Sequence, residues 1–449
     1  MRATLSQLAS DLENGVTTSV QLTEACLARI SDPQGEGARA FIKVDAKKAR
    51  AAAATADQLR AAGLHASPFA GIPLAVKDLF DLKGEPTPAG SKVLADAAPA
   101  QKDAAAIARL KAAGFIIIGR NNMTEFAFSG VGINPHYGTP ANPYERHKKR
   151  IPGGSSSGAA VAVVDEMAAA AIGSDTGGSC RIPAALCGLT GYKPTASSVP
   201  SQGALPLSTT LDSIGPLANS VECCAILHKL MSGSENEALI DLDVKGLRIG
   251  VPQSVVFDGI EPYVATVFEK ALEKLGLAGA HIIPIELKAF HILAEINGKG
   301  GFPAPEAYTW HKDLLAEHGD LYDQRVRARL MRAHEQTASD YIEILQMRRD
   351  YIDQVIHEIT PFDVIAMPTV PMIAPEISAL DDGDAFTKAN LALLRNPTLI
   401  NMLDGCSISL PVHEADNAPV GLMLSAGNGQ DNWLLSVARA VEAQLRQLQ

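Results

Sequence analysis

The sequence predicts an α/β protein in which helices cover both faces of a central mixed, twisted sheet. Helical and strand patterns alternate early in the chain: an alanine-rich helix over 45–62, an apolar strand at 74–77, a helix over 103–113 and an apolar strand at 115–119. The composition agrees, because 47% of the 449 residues are hydrophobic and only 5% are aromatic. Small and aliphatic side chains can therefore fill a large core.

The remaining elements follow from similar patterns. Helices are predicted over 4–12 and 19–30, with Thr18 or Ser19 as the cap of the second. The apolar run 159–172 is interpreted as a helix followed by a strand, with the break near 165–167. Later strands are predicted at 246–252 and 362–369, and later helices over 221–231, 305–318, 324–334, 338–359 and 431–448. We expect residues 1–449 to form a single domain.

Charge and targeting signals narrow the functional classes. The net charge of −11 argues against a nucleic-acid partner, which would need a basic surface. The N-terminus lacks the apolar run of a signal peptide, and no stretch is long enough for a membrane helix. The six cysteines match no disulfide or zinc spacing. These features predict a cytoplasmic protein with free thiols and no membrane partner.

Two Gly/Ser clusters, at 153–158 and 173–179, bracket the predicted helix and strand. A serine hydroxyl becomes a useful nucleophile when a base takes its proton. Glycines beside it allow backbone N–H groups to converge on one point, as an oxyanion hole requires. The predicted oxyanion-hole donors are the N–H groups of Thr176, Gly177, Gly178 and Ser179. Taken alone, the first cluster is equally consistent with a flexible linker or an anion-binding turn.

Lys77 is the candidate base because it ends the apolar strand 74–77, where ligands gather in open α/β sheets. A neutral lysine near pH 7–8 requires its pKa to fall by about 2–3 units, which burial can supply. The alternative is a surface ion pair with Asp78. Cys180 is a rival nucleophile, but we interpret it as a packing residue because no histidine partner is apparent.

Three segments together resemble the amidase signature family: 71–78 (GIPLAVKD), 153–158 (GGSSSG) and 174–184 (SDTGGSCRIPA). The spacing between Ser155 and Ser179 is also similar. The resemblance implies the amidase signature fold, with Ser179 as nucleophile, Ser155 as proton relay and Lys77 as neutral base. It also implies a cis peptide bond between Gly154 and Ser155. No metal or organic cofactor is implied.

The resemblance also suggests where substrate binds. It places Phe126, Ala127, Phe128 and Ser129 in the acyl pocket, although simple core packing is the alternative for the two phenylalanines. Asp175 and Arg181 are expected to brace the nucleophile loop as an ion pair. Residues 287–360 are the least family-like and mostly helical, so we expect them to govern substrate choice. Within them, Trp310, His311 and Arg325 are interpreted as exposed helix residues rather than site residues.

The predicted function is therefore hydrolysis of a C–N bond in a small-molecule amide, or in a related carbamate or urea, through a serine acyl-enzyme. Ammonia or an amine would be released, and a homodimer is the candidate assembly. The alternative is the amidase subunit of a tRNA-dependent amidotransferase, which would need small partner subunits. A non-catalytic binding protein is disfavoured because Lys77, Ser155 and Ser179 are all present.

Overall fold

The computed structural model describes residues 3–233 and 238–447, and its centre is one mixed sheet. Within these ranges the sheet has 11 strands: β1 (Phe41–Val44), β2 (Pro73–Lys77), β3 (Ile116–Asn121), β4 (Ala170–Asp175), β5 (Thr190–Lys193), β6 (Ser213–Ala218), β7 (Arg248–Pro252), β8 (His281–Ile285), β9 (Val364–Pro368), β10 (Cys406–Pro411) and β11 (Gly421–Ala426). Their order is β1-β3-β2-β4-β6-β5-β10-β11-β9-β7-β8.

Helices flank this sheet. In chain order they are α1 (Leu5–Glu13), α2 (Ser19–Ser31), α3 (Gly37–Ala40), α4 (Ala46–Ala61), α5 (Ala105–Ala112), α6 (Ser157–Val164), α7 (Arg181–Cys187), α8 (Val221–Ser232), α9 (Pro262–Leu277), α10 (Ile292–Ile296), α11 (Pro303–His318), α12 (Gln324–Met331), α13 (Ala338–Ile359), α14 (Gly383–Leu403) and α15 (Asp431–Gln447). In the described ranges, none is long and apolar enough to cross a membrane.

The strand directions confirm the predicted mixed sheet. Strand β2 is parallel to both β3 and β4, whereas the pairings from β4 through β6, β5, β10 and β11 to β9 are antiparallel. Strand β7 then pairs in parallel with β9 and β8. Every residue of β2 and β4 is buried, as expected for strands covered on both faces.

Most predicted elements are found within a few residues of their expected bounds. Thr18 is the cap of α2, where its side chain accepts from the Gln21 N–H and the Gln21 side chain accepts from the Thr18 N–H. The helix predicted over 324–334 ends earlier, at Met331, where a 3₁₀ turn follows. The last predicted residue of the closing helix, Leu448, lies outside the described residues.

The region 287–360 packs onto the second half of the sheet together with α14. Leu293 of α10 and Val355 of α13 are buried in one apolar cluster with Leu399 of α14 and Met423 of β11. Helix α14, which contains Pro397, was not predicted from the sequence. This packing covers the part of the sheet that contains β9 and β11.

Candidate active site

Lys77 and the serine-rich loops meet at the carboxyl ends of β2 and β4. These parallel strands pair through Val76 and Ile172, so Lys77 and Ser174 both lie near the carboxyl ends of their strands, at the same edge of the sheet. The fully buried Lys77 Nζ lies 2.7 Å from Ser155 Oγ and 2.8 Å from Ser174 Oγ. Ser174 was not predicted as a site residue, although its place near the end of the strand adjacent to β2 is a signal for it.

Burial changes the proton affinity of Lys77. Removal from water lowers the pKa of its amine to about 8, while the carboxylates of Asp212 and Asp175 partly offset this effect. The direction and size agree with the requirement stated for a lysine base. The Lys77 amine therefore loses its proton at a lower pH than an exposed lysine does, and its neutral form can accept a proton.

The loop that carries Ser155 contacts the loop that carries Ser179. The peptide bond between Gly154 and Ser155 is cis, as the resemblance predicts. A Cβ at position 154 would lie 2.6 Å from the Gly132 nitrogen, so only glycine fits there. The Ser156 N–H donates to the Ser179 carbonyl oxygen at 3.3 Å. This contact joins the segments that carry the two predicted catalytic serines.

Asp175 organises the turn between β4 and α7. Its carboxylate accepts from the N–H groups of Gly178 at 2.9 Å and Cys180 at 3.1 Å. It also pairs with Arg181 Nη2 at 2.8 Å, which confirms the predicted ion pair. Burial alone would raise the Asp175 pKa, but the Arg181 guanidinium and the Asn401 amide hold it well below its usual range. Asp175 thus binds the backbone on both sides of Ser179.

These contacts reduce the number of backbone N–H groups that are candidates for an oxyanion hole. The Gly178 N–H already donates to Asp175, at a φ of 119° that favours glycine. The candidate donors that carry no such bond in the described structure are the N–H groups of Thr176, Gly177 and Ser179. The Thr176 hydroxyl donates to Asp212 Oδ1 at 2.5 Å. Asp212 was not predicted from the sequence as a site residue. Burial raises the pKa of Asp212 to about 6.

Cys180 behaves as a packing residue, in agreement with the sequence interpretation. It is fully buried, and burial raises the pKa of its thiol well above the ordinary value. Its Sγ lies 3.5 Å from the Gly215 carbonyl oxygen. A protonated, enclosed thiol is a poor nucleophile.

A cavity of about 700 Å³ opens onto Ser179, a size suited to a small organic substrate. Ala127, Phe128 and Ser129 line it, together with Thr176 and Gly177. The opposite wall comes from the region 287–360 and from α14. Its residues include Phe290, Leu293, Asn297, Arg329, Arg332, Leu394 and Arg395.

Phe126 differs in position from the three residues that follow it in the chain. Phe126 is buried and does not line the cavity. The centre of its ring lies 4.3 Å from the centre of the His311 ring and 5.3 Å from that of the Tyr322 ring. Phe126 and Ala127 both have positive φ values, 49° and 59°. This left-handed turn directs the first aromatic ring behind the wall that Phe128 lines.

Three further residues from the helical region lie outside the lining of this cavity. Trp310 is exposed, as interpreted from sequence. His311 is buried, which corrects its interpretation as an exposed residue. Arg325 is partly exposed and pairs with Asp323 at 3.2 Å. The aromatic cluster around Phe126 explains why His311 is enclosed.

Comparison with known proteins shows similarity along nearly the whole chain. A sequence model of the family described as Amidase matches residues 21–435, including the region that appeared divergent. The chain is 32% identical over 452 residues to a 2-amino-5-chloromuconic acid deaminase of Comamonas testosteroni, covering 99% of this chain and 96% of that protein. It is 34% identical over 481 residues to a glutamyl-tRNA(Gln) amidotransferase subunit of a Roseiflexus strain, with 98% and 96% coverage. A crystal structure of an amidase superimposes with a TM-score of 0.88 at 30% identity, covering 98% of this chain and 100% of the other.

Proposed function

The chain belongs to the amidase family and hydrolyses a C–N bond in a non-peptide amide, and we propose that it does so through an acyl-enzyme on Ser179. The observation that carries this proposal is the 2.7 Å contact between Lys77 Nζ and Ser155 Oγ beside the nucleophile loop. Burial of Lys77, which lowers its pKa to about 8, supports its role as base.

In the proposed chemistry one proton moves from Ser179 towards Lys77, and one proton later moves back to the leaving group. Ser179 Oγ attacks the amide carbon while its proton passes to Ser155 Oγ, and the Ser155 proton passes to neutral Lys77 Nζ. The N–H groups of Gly177 and Ser179, with that of Thr176, are the proposed donors to the oxyanion. As the C–N bond breaks, the proton returns along the same relay to the leaving nitrogen.

Water then completes the cycle. It attacks the acyl-enzyme carbon and gives its proton to the relay, and Ser179 regains its own proton as the acid is released. We propose amides as the principal substrates, with carbamates and ureas as chemically related ones. One relative is named a deaminase, which supports ammonia as the product to assay. We also propose a cytoplasmic location, consistent with the six cysteines that the structure shows as buried free thiols.

The alternative function is the amidase subunit of a tRNA-dependent amidotransferase. Relatives with that name favour it, at an identity similar to that of the deaminase. The two functions differ in whether the chain works alone. Purified protein of defined mass by size-exclusion chromatography, as monomer or homodimer, should release ammonia without a partner if it is a stand-alone hydrolase. Turnover that appears only with added partner subunits would favour the alternative.

The catalytic proposal is tested by an ammonia-release assay on a panel of aliphatic and aryl amides, carbamates and ureas. Ser179→Ala should lose turnover on every substrate while keeping the wild-type melting temperature, since only one hydroxyl is removed. Cys180→Ala is the matched control next in the chain and should retain amide turnover. A Ser179→Ala protein with wild-type turnover would exclude the acyl-enzyme.

A further inference from the structure

Arg329 lines the cavity that contains Ser179, on the wall supplied by α12. Its guanidinium carbon lies 4.7 Å from the centre of the Phe128 ring, and Phe128 and Ser129 line the same cavity. Stacking on an aromatic face orients a guanidinium but leaves its N–H donors free for hydrogen bonds. Arg329 thus presents hydrogen-bond donors within the space that a substrate would occupy.

The other two arginines of the lining are engaged by the protein. Arg332 pairs with Glu335 at 3.2 Å and donates to the Gly298 carbonyl oxygen at 2.6 Å. Arg395 donates to the carbonyl oxygens of Asp258 at 2.6 Å and Val256 at 3.3 Å. The guanidinium of Arg329 makes no hydrogen bond or ion pair with the residues that the structure describes. Its donors therefore remain available to a ligand.

The charge balance of the cavity favours an anion. Asp258, the one carboxylate in the described lining, is exposed, and its backbone oxygen already binds Arg395. Burial and the nearby Arg332 lower the pKa of Arg329 to about 10, so Arg329 remains a cation at neutral pH. A partly desolvated cation without a counter-ion is costly, and a ligand carboxylate would supply both charge and acceptors.

Contacts at its start and along its buried face hold α12, the helix that carries Arg329, against the rest of the protein. Glu125, which begins the segment leading to Phe128, accepts from the Asp323 N–H at 2.7 Å, at the start of α12. On the same helix, Val326 and Leu330 are buried in the core. The cation is thus held in a preorganised place relative to the pocket wall, as a specificity contact requires.

We propose that Arg329 binds a carboxylate of the substrate, so that the enzyme acts on amides that carry a carboxylate in the same molecule. This inference rests on the proposed function and adds the substrate class to it. Guanidinium and carboxylate can form two parallel hydrogen bonds, which would orient the substrate as well as attract it. Arg329 is a specificity residue in this account, and the proton transfers remain with Lys77 and Ser155.

The test compares monoamides of dicarboxylic acids with the neutral diamides of the same length: succinamate with succinamide, glutaramate with glutaramide and adipamate with adipamide. Wild-type kcat/KM for ammonia release should be higher for at least one monoamide than for its diamide. Arg329→Met should lower kcat/KM about 10- to 100-fold on that monoamide and change the diamide by less than about threefold. Arg329→Lys should restore part of the loss because it retains the charge.

Arg325→Met is the matched control on the same helix, since Arg325 pairs with Asp323 and lies outside the lining. It should leave the ratio of monoamide to diamide unchanged. Equal kcat/KM on both members of every pair in the wild type would overturn the proposal. An equal loss on both members in Arg329→Met would do the same, because it would indicate a structural role.

A binding measurement separates this inference from the catalytic proposal. Calorimetric titration of Ser179→Ala with the three monoamides should detect binding that weakens about 10- to 100-fold in Ser179→Ala/Arg329→Met. No detectable binding of any monoamide, or equal affinity in the two proteins, would overturn the role of Arg329. Turnover retained in Ser179→Ala would instead overturn the acyl-enzyme while leaving the measured role of Arg329 intact.

Discussion

Lys77 Nζ lies 2.7 Å from Ser155 Oγ, although the two residues are 78 positions apart in the chain. The contact is buried, and a second bond from the same amine reaches Ser174 Oγ at 2.8 Å. Two hydroxyl partners satisfy a lysine without supplying a carboxylate in direct contact. The neutral amine is therefore accessible near pH 8, and the proton on Ser155 has an acceptor beside it.

The first prediction concerns pH. Because only neutral Lys77 accepts a proton, kcat/KM on an amide should rise with pH through an apparent pKa near 8. Well below that value the rate should fall roughly tenfold per pH unit, and above it the rate should level off. The profile should be measured from pH 6 to 10, with a stability check at each pH. A midpoint near 10 would mean that Lys77 titrates as an ordinary exposed lysine.

The second prediction concerns coupling within the relay. Lys77→Ala should lose nearly all amide turnover, whereas activated esters should suffer less because a phenolate leaves without a returned proton. Ser155→Ala should lie between wild type and Lys77→Ala. If the two residues act as one unit, the double variant should cost much less than the sum of the single losses in transition-state free energy. Additive losses on amides would show that Lys77 and Ser155 act independently.

The third prediction concerns the brace of the nucleophile loop. Arg181→Met should destabilise the protein by about 3–5 kcal/mol, because it leaves the carboxylate of Asp175 buried without its counter-ion. The measurement is the free energy of unfolding in urea. Arg29→Met is the control, since it removes an exposed pair with Glu166 and should cost less than about 1 kcal/mol. Similar costs for the two variants would mean that the brace adds no particular stability.

The fourth prediction separates the two phenylalanines. Phe126→Leu should lower the unfolding free energy by about 1–3 kcal/mol while leaving relative kcat/KM among amides unchanged, because Phe126 packs behind the wall. Phe128→Leu should alter those relative values, because Phe128 lines the cavity. Both variants should be assayed on the same amide series below their unfolding transitions. If Phe126→Leu alone changed the substrate preference, Phe126 would have to be counted as a pocket residue.

The parts of the candidate site that lie in short segments could be recognised from local sequence patterns. The Gly/Ser clusters, the apolar strand before Lys77 and the helix–strand pattern of 159–172 are all contained in short segments. Family membership and the mixed sheet are confirmed by the comparisons and the structure. The brace between Asp175 and Arg181 was also accessible, because both residues belong to one short motif.

Long-range packing limited the rest. Ser174 contacts Lys77 only because β4 pairs with β2. Asp212 directly precedes β6 and contacts Thr176, which directly follows β4. Asn401 and Thr398 lie at the site because they belong to α14. This helix is hard to predict from the sequence because it contains a proline, Pro397. The side-chain direction of Phe126 depends on a left-handed backbone, which a sequence pattern of alternating aromatics does not reveal.

The central claim is that Ser179 forms the covalent bond to substrate, and active-site labelling tests it most directly. Wild-type protein, Ser179→Ala and Cys180→Ala should be treated with a fluorophosphonate, and the modified residue mapped by peptide mass spectrometry. We predict one label, on Ser179, in the wild type and in Cys180→Ala, with none in Ser179→Ala and a parallel loss of amide turnover. A label on Cys180, or amide turnover that survives complete loss of the Ser179 hydroxyl, would contradict the account.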